Sequence, residues 1–340
     1  MSILIRFPNW IGDAVMATPA LRNLLAHHAD ESFVMAASPA VAGLFADDPR
    51  FTAVLADRTA SSRFRPLALW RWGRELKKQY GPFSAAWSFP NGFSARWMLY
   101  AAGASQRIGR DKRWHAKLLT HRLATPAGEK HEAECYNHLL NQALGTDYST
   151  GPTELPLAES HAFSRPTIGV NPGAAYGSAK RWPPKKFAQV AAALAADFDI
   201  AIFGGPNERQ QAEEIASCLQ EAGVSNFENF AGRTSIGELV AKLAALRLFI
   251  TNDSGPMHIA GAFQVPTVAV FGPTNHRLTY AWGNPNARIV RRDDVECAPC
   301  MKRVCPLERR VCMEDLDASL ALAAARELLG GKTPPLRRAG

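Results

Sequence analysis

Short apolar runs that stop at a small or polar turn recur along this chain, and stretches with helical spacing separate them. In the first third, "ILIRF", "SFVMAAS", "FTAVLAD" and "FSAAWSFP" form the runs, and "AVMATPALRNLLAHH" and "RPLALWRWGRELKKQY" have the helical spacing. Strands that are apolar throughout, and not alternating, are covered on both faces, and a strand–helix–strand succession makes neighbouring strands parallel. The chain is therefore predicted to be α/β, with parallel sheets lying between layers of helices. Pro19 is an early interruption of the first helical stretch.

The rhythm breaks once. Around "GPTELPLAESHAFSRPTIGVNPG" proline, glycine and polar residues precede a new strand. The alternation then restarts with "FAQVAAALAADF", "DIAIFGG", "NERQQAEEIASCLQEAG", "SIGELVAKLAAL", "RLFITNDSG" and "PTVAVFGPT". A boundary near residues 155–165 gives an N-terminal domain over 1–160 and a second over 161–314. "DLDASLALAAARELLG" reads as a helix over 315–330, expected to pack back on the N-terminal domain, and 331–340 as a tail. With 340 residues and 47% hydrophobic composition, two domains can each bury a substantial core. If their strand-end loops face each other, they frame a central cleft in which an anionic ligand meets helix N-termini.

The charge is uneven. The net +8 comes from 39 basic and 31 acidic side chains; seven Arg or Lys face only Glu75 between Arg58 and Lys78, and six face only Asp111 between Arg107 and Arg122. Such fields attract anions, and the tryptophans in "ALWRWGREL" and "DKRWHAK" suit a lipid or sugar boundary. The plain alternative is a solvated basic face. No recognised nucleic-acid-binding motif accompanies the strips, so nucleic acid is not the expected partner. No run approaches the roughly 18 apolar residues that span a bilayer. Arg6, Asn9 and Asp13 interrupt the opening where a signal peptide carries an apolar block, so a cytoplasmic protein is expected.

Several loops carry residues suited to chemistry. In "NWIGDAV", Asp13 lies between a strand and a helix, where a carboxylate either favours the helix start or acts as a held reactive group. In "FITNDSGPMHIAGAFQVPTVAVFGPT" a buried strand ends at Asn252 and Asp253. Asp253 is available for sugar hydroxyls, and the turn over Ser254, Gly255, Pro256, Met257 and His258 opens a helix whose N–H groups suit phosphate. The bland reading makes Asp253 a cap and His258 a packing residue. "NPGAAYGSAKRWPPKKFAQV" places Lys180 in a glycine-bearing loop, able to neutralise a diphosphate or simply to stand at the surface. Glu208 of "IFGGPNERQ" can accept ribose hydroxyls or serve as a helix-start acid, and Gly232 of "NFAGRTS" brings backbone groups toward a base or phosphate. "GxxxxGK[ST]" is absent, so the loop is no ordinary nucleoside-triphosphatase site; a dehydrogenase would need "GxGxxG", whereas the first loop reads "PNWIGDAVMA".

Cys297, Cys300, Cys305 and Cys312 crowd into "CAPCMKRVCPLERRVCM". The first pair has metal-knuckle spacing and the second is wide, which admits a structural zinc, iron and sulfur, free thiols or an adventitious disulfide. Any metal there is expected to be structural and away from the chemistry. Cys135 and Cys218 read as isolated core thiols.

Taken together and in order, "RFPNWIGDAVMATPALRNL", "NPGAAYGSAKRWPPKKFAQV", "IFGGPNE", "NFAGRTS" and "TNDSGPMHIAGAFQVPTVAVFGPT" resemble the bacterial ADP-heptose:lipopolysaccharide heptosyltransferases, most nearly the heptosyltransferase II branch. The resemblance covers residue 1 to about 290. It implies two Rossmann-like domains in the glycosyltransferase B fold, with the acceptor on the first and the nucleotide sugar on the second. The implied reaction is an inverting transfer of L-glycero-D-manno-heptose from ADP-heptose to the first heptose of the inner core, with no cofactor or catalytic metal required. It further implies Asp13 as general base, Lys180 on the diphosphate, Glu208 on the ribose, Asp253 on heptose hydroxyls, and the backbone of Ser254 to His258 on phosphate. The implied partner is a phosphorylated lipid A/inner-core glycolipid at the cytoplasmic face of the inner membrane. The cysteine-rich segment is no part of that catalytic pattern.

Overall fold

The computed structural model describes residues 2–330, which exclude the expected tail. The chain divides between Pro156 and Leu157 into two compact units.

The first unit carries β1 (Ser2–Arg6), α1 (Ile11–Met16), α2 (Thr18–His27), β2 (Ser32–Ala37), α3 (Pro39–Leu44) and β3 (Ala53–Ala56), then α4 (Arg65–Tyr80), β4 (Phe83–Ser88), α5 (Phe93–Ala101), β5 (Gln106–Arg110), β6 (His121–Leu123) and α6 (Glu132–Leu144). Its sheet runs β3-β2-β1-β4-β5-β6, and all its pairings are parallel. Leu4 sits in register with Val34 and Ala86. One face of these strands packs on Leu69 and Leu76 of α4 and Met98 and Leu99 of α5. Burying each such leucine contributes about 1.5–3 kcal/mol, so the unbroken apolar runs are what fix the sheet between its helices.

The second unit carries β7 (Thr167–Asn171), α7 (Pro184–Ala192), β8 (Asp199–Ile202), α8 (Arg209–Glu221), β9 (Phe227–Asn229) and α9 (Ile236–Ala244), then β10 (Leu248–Asn252), α10 (Gly255–Ala262), β11 (Thr267–Val270), α11 (His276–Thr279), β12 (Ala287–Val290), α12 (Val311–Glu314) and α13 (Ala318–Gly330). Its sheet order is β12-β11-β10-β7-β8-β9, again parallel throughout. Ile168, Val170, Ile200, Ile202, Leu248, Ile250, Val268 and Val270 supply the strands' share of one core.

Each sheet starts at its centre, winds outward one way, and then returns to wind the other way. The reversals fall between β1 and β4 and between β7 and β10. In open parallel sheets the loops after the strands diverge at such a reversal and leave a crevice at the carboxyl ends.

The helical stretch is interrupted at Pro19 as expected: Ala17 closes α1, and Thr18 with Pro19 opens α2. Proline fits there because the first-turn N–H it lacks would have no intrahelical partner. Two expectations change. The strip from Arg107 to Arg122 is not simply a charged surface, since it contains β5 and β6. Arg107 donates to Leu118 O and Ala104 O at 2.8 and 2.7 Å, and Arg110 is buried. The closing helix α13, expected to pack on the first unit, is built into the second, where Ala321 and Ala325 are fully buried in the core. Its approach is fixed by Trp182 Nε1 donating to Leu316 O at 3.1 Å and Lys186 Nζ donating to Glu314 O and Leu316 O, both at 2.6 Å.

Candidate functional site

In the second unit the reversal point is built from main-chain ties. Asn252 Nδ2 donates to Pro172 O at 2.7 Å, and Trp182 N donates to Asn252 Oδ1 at 3.1 Å, so the loop leaving β7 is stitched to the end of β10. Asn171 Nδ2 reaches Ser254 Oγ at 3.3 Å, while Asn171 Oδ1 is buried without a hydrogen-bond partner among the described residues.

These ties bring together two of the residues singled out in the sequence. Lys180 Nζ meets Asp253 Oδ2 at 2.5 Å, and Thr274 Oγ1 of the loop after β11 donates to the same oxygen at 2.6 Å. Asp253 and Thr274 are buried, and Lys180 lies largely so. Lys180 Nζ also stands 4.6 Å from the centre of the Tyr176 ring, with the Arg303 guanidinium 5.0 Å from that ring. A buried carboxylate, an ammonium, a hydroxyl and a second cation thus share the carboxyl edge of β7, β10 and β11. That combination can counter a diphosphate and orient sugar hydroxyls. Thr274 was present in "FGPT" but carried no signal of its own.

The neighbouring loops are closed in the same manner. Glu208 Oε2 accepts from Gly205 N at 2.7 Å, as a helix-start acid does. Its carboxylate also lies over Gly173, where a Cβ would fall 2.1 Å from it, so the loops after β7 and β8 touch only because residue 173 has no side chain. Gly232 has φ +67°. Its N–H donates to Gly204 O at 2.8 Å, and its carbonyl accepts from Arg209 Nη2 at 2.8 Å.

At the start of α10 the expected row of donors is thinner. Pro256 has no N–H, and Met257 N donates to Ser254 O at 3.1 Å. His258 is buried in the packing of the helix.

In the first unit Asp13 is the third residue of α1, half-buried, where a negative charge is favoured by the helix dipole. Trp10 occupies the N-cap position without a side-chain cap hydrogen bond. Burial pushes the Tyr136 phenol of α6 well above its usual range, and the carboxylates of Asp13 and Glu132 add to the shift. The loop that leads to Asp13 is fixed from below. Arg6 is buried and donates to Asn9 Oδ1 at 2.8 Å and Asp57 Oδ2 at 3.0 Å. Desolvation lowers its guanidinium to about 10, against the pull of Asp57. An arginine inside an apolar strand run gave no hint of this anchoring role.

The same unit carries an aromatic row on its basic side. Trp114 stacks on Phe93 at 5.8 Å, Phe93 on Trp97 at 5.9 Å, and Trp97 on Tyr100 at 5.8 Å, with Trp70 5.3 Å from Trp97. Trp114 and Phe64 are 73% and 70% exposed, among exposed Arg63, Arg71, Arg74, Lys77, Lys78, Lys112, Arg113 and Lys117.

The cysteine-rich segment is not away from this chemistry. Ala179 N donates to Arg303 O at 3.0 Å, Tyr176 Oη to Met301 O at 2.8 Å, and Met301 N to Pro273 O at 2.7 Å. The segment is therefore bonded to both loops that hold Asp253. Its irregular course between β12 and α12 is why spacing alone could not place it. Burial pushes the Cys312 thiol up to about 11, with Cys297, Cys300 and Cys305 adding to the effect.

Among known proteins, residues 69–310 match glycosyltransferase family 9 (heptosyltransferase). The chain is 33% identical over 338 residues to a lipooligosaccharide heptosyltransferase 2 of Campylobacter jejuni, with 97% of this chain and 98% of that one covered. It is 27% identical to a lipopolysaccharide heptosyltransferase 2 of Salmonella typhimurium, covering 86% and 88%. Among solved structures, the ADP-heptose lps heptosyltransferase II of E. coli superposes with a TM-score of 0.79 at 24% identity, covering 97% and 98%. That likeness gives the fold class: two Rossmann-like α/β units of the glycosyltransferase B type.

Proposed function

Because the chain belongs to glycosyltransferase family 9, the heptosyltransferases, we propose that it moves L-glycero-D-manno-heptose from ADP-heptose to the first heptose of the lipopolysaccharide inner core, with inversion at the anomeric carbon. The observation that carries this reading is the meeting of Lys180, Asp253 and Thr274 at the reversal point of the second sheet, in a chain alike over almost its whole length to enzymes named heptosyltransferase 2.

The chemistry has two demands. The acceptor hydroxyl loses a proton as it attacks, and Asp13 is the base that takes it. The departing ADP gains negative charge, which Lys180 counters while Asp253 holds heptose hydroxyls. To do so Lys180 shares its ammonium between Asp253 and the diphosphate, a shift that its long stem allows. Glu208 receives the ribose through the carboxylate oxygen not engaged by Gly205 N, and the backbone of Gly232 and of Ser254 to His258 borders the nucleotide. An inverting transfer needs a single displacement, so one base suffices, and the reading requires no catalytic metal.

The acceptor is a phosphorylated lipid A/inner-core glycolipid. The aromatic row and its basic surroundings suit the cytoplasmic face of the inner membrane, with tryptophan at headgroup depth and Lys and Arg toward anionic phosphates. No helix among the described residues is long and apolar enough to cross a membrane. Neutralising the exposed basic residues of both strips should weaken acceptor binding; undiminished binding would refute that role.

Mass spectrometry of the product formed from purified protein and ADP-heptose tests the transfer itself. Acceptors already bearing one heptose should be extended, and acceptors bearing none should not; the reverse result would assign the first heptose addition instead. Replacing Asp13 with Asn preserves size and much of the hydrogen bonding but removes the basic group. Turnover should fall about a hundredfold or more while donor affinity is little changed. Near-normal turnover would remove Asp13 from the role of base.

A further inference from the structure

We propose that Cys297, Cys300, Cys305 and Cys312 bind one thiophilic metal ion, zinc or iron, as a tetrathiolate centre that clamps residues 291–310 onto the loops holding Lys180 and Thr274. Four of the six free cysteines line a single cavity of about 110 Å³, together with Ala179, Pro273, Lys302, Leu307 and Arg310. Cys135 and Cys218 are not part of its lining. Thiols gathered from four positions around one small space are the donor set of a tetrahedral metal centre, with metal–sulfur bonds of about 2.3 Å for zinc.

The segment itself calls for such a clamp. From Arg291 to Arg310 it contains neither helix nor strand, and irregular stretches of about this length are uncommon inside compact domains. Burial does not hold it: Met301, Val304 and Leu307 are 48%, 68% and 54% exposed. A metal centre supplies the cross-links that an apolar core does not, much as in small domains that fold around zinc.

The charges also match. Four thiolates around a divalent ion carry a net negative charge, and the Lys302 and Arg310 side chains line the same cavity. Arg310 Nη1 additionally donates to Ser178 O at 2.8 Å and Arg181 O at 2.9 Å, on either side of Lys180. Binding is a closure rather than the filling of a finished site. Among the described residues no group of three or more His, Cys, Asp or Glu side chains is already arranged to hold an ion. The thiols turn into the cavity, lose four protons to solvent, and form four metal–sulfur bonds, with no change of oxidation state.

The consequence for chemistry runs through the backbone. The centre fixes Met301 and Arg303, whose main chains bond to Pro273 O and Ala179 N, and these residues adjoin Thr274 and Lys180. The metal is thus a positioning element for the donor loops, which rests on the reading of those loops given above; the metal content does not.

The test uses the full chain, produced with zinc or iron supplied and purified under reducing conditions without chelator. Elemental analysis should find about one ion per chain, with iron distinguished from zinc by thiolate-to-iron absorption in the visible. Cobalt added to the stripped protein should give intense tetrahedral bands and sulfur-to-metal charge transfer. Removing the metal should expose four additional thiols to alkylation, identified by peptide mapping as Cys297, Cys300, Cys305 and Cys312. This measurement on the unsubstituted chain does not depend on whether a Cys297→Ser, Cys300→Ser variant folds. Cys135→Ser and Cys218→Ser should retain the ion. Failure to take up cobalt, zinc or iron with all four thiols reduced, or protection of other cysteines, overturns the proposal. If the centre positions the donor loops, stripping should also weaken ADP binding severalfold. Unchanged ADP affinity in a protein that does bind metal would overturn the positioning role alone.

Discussion

Replacing Lys180 with alanine removes one partner of a buried ion pair, and the structure sets the size of the effect. Removing one member of such a pair costs about 3–5 kcal/mol, chiefly because the other charge stays behind uncompensated. Asp253 is only 4% exposed at its side chain and Lys180 11%, so water cannot readily take the place of the ammonium. Thr274 continues to donate to Asp253 Oδ2 at 2.6 Å, which favours the lower end of that range, about 3 kcal/mol. In a unit of this size each 1 kcal/mol moves the midpoint by about 2–4 °C, so the transition of the second unit should fall by roughly 6–12 °C. Calorimetry of Lys180→Ala, Asp253→Asn and the double variant forms the cycle. The double variant should be more stable than the sum of the single effects implies, by about 2 kcal/mol, because its remaining side chain no longer carries a charge. Calorimetric titration should separately show weaker ADP-heptose binding to Lys180→Ala. A fall of less than about 2 °C with additive effects would refute the pairing, and unchanged donor affinity would refute the diphosphate role.

Other perturbations test neighbouring parts of the argument. Gly173→Ala puts a Cβ about 2.1 Å from the Glu208 carboxylate; it should destabilise the second unit by roughly 1–3 kcal/mol, and Glu208→Ala in the same chain should recover much of the loss in a thermal scan. Acidification should also destabilise the first unit. His115 is buried, and burial first, then Arg96 and Arg113, hold its pKa below the usual value. The unfolded chain therefore takes up the proton first: stability is intact above about pH 6.5, falls as pH drops through that value, and levels off below the folded pKa. His115→Gln should make that decline shallower without abolishing it, since His28 is also shifted down. An unchanged slope in urea midpoints across this range would count against His115 as a contributor.

The legible parts of the fold were those in which one residue type serves one purpose. β1, β2, β4, β7, β8, β10 and β11 could be read because both faces of each are covered, which leaves an unbroken apolar run; β3, half-buried at the edge of its sheet, was legible from its apolar run alone. β5 and β6, "QRIGR" and "HRL", were hidden because their arginines look like surface charge. The structure engages Arg107 with carbonyls and buries Arg110. The buried Arg6–Asp57 pair at 3.0 Å spans most of the first half of the unit and has no local signature. Lys180 and Asp253 could each be suspected from their loops, but their direct contact joins the ends of two strands and depends on sheet order. The cysteine segment shows the same limit in another form. Its spacing suggested a metal, whereas its place beside Lys180 depends on main-chain bonds that no motif encodes.

The two sheets share a winding order, yet their units are completed differently. All the strands of the first sheet and the helices over them precede Pro156, so that unit can assemble while the second is still being synthesised. The second cannot close so early. Ala321 and Ala325 of α13 belong to its core, and Trp182 is tied to Leu316. Its early strands must wait, with apolar faces partly uncovered, until α13 has been made. That helix is thus the closing step for its own unit, and until it arrives the nascent second unit exposes apolar surface that a chaperone can protect.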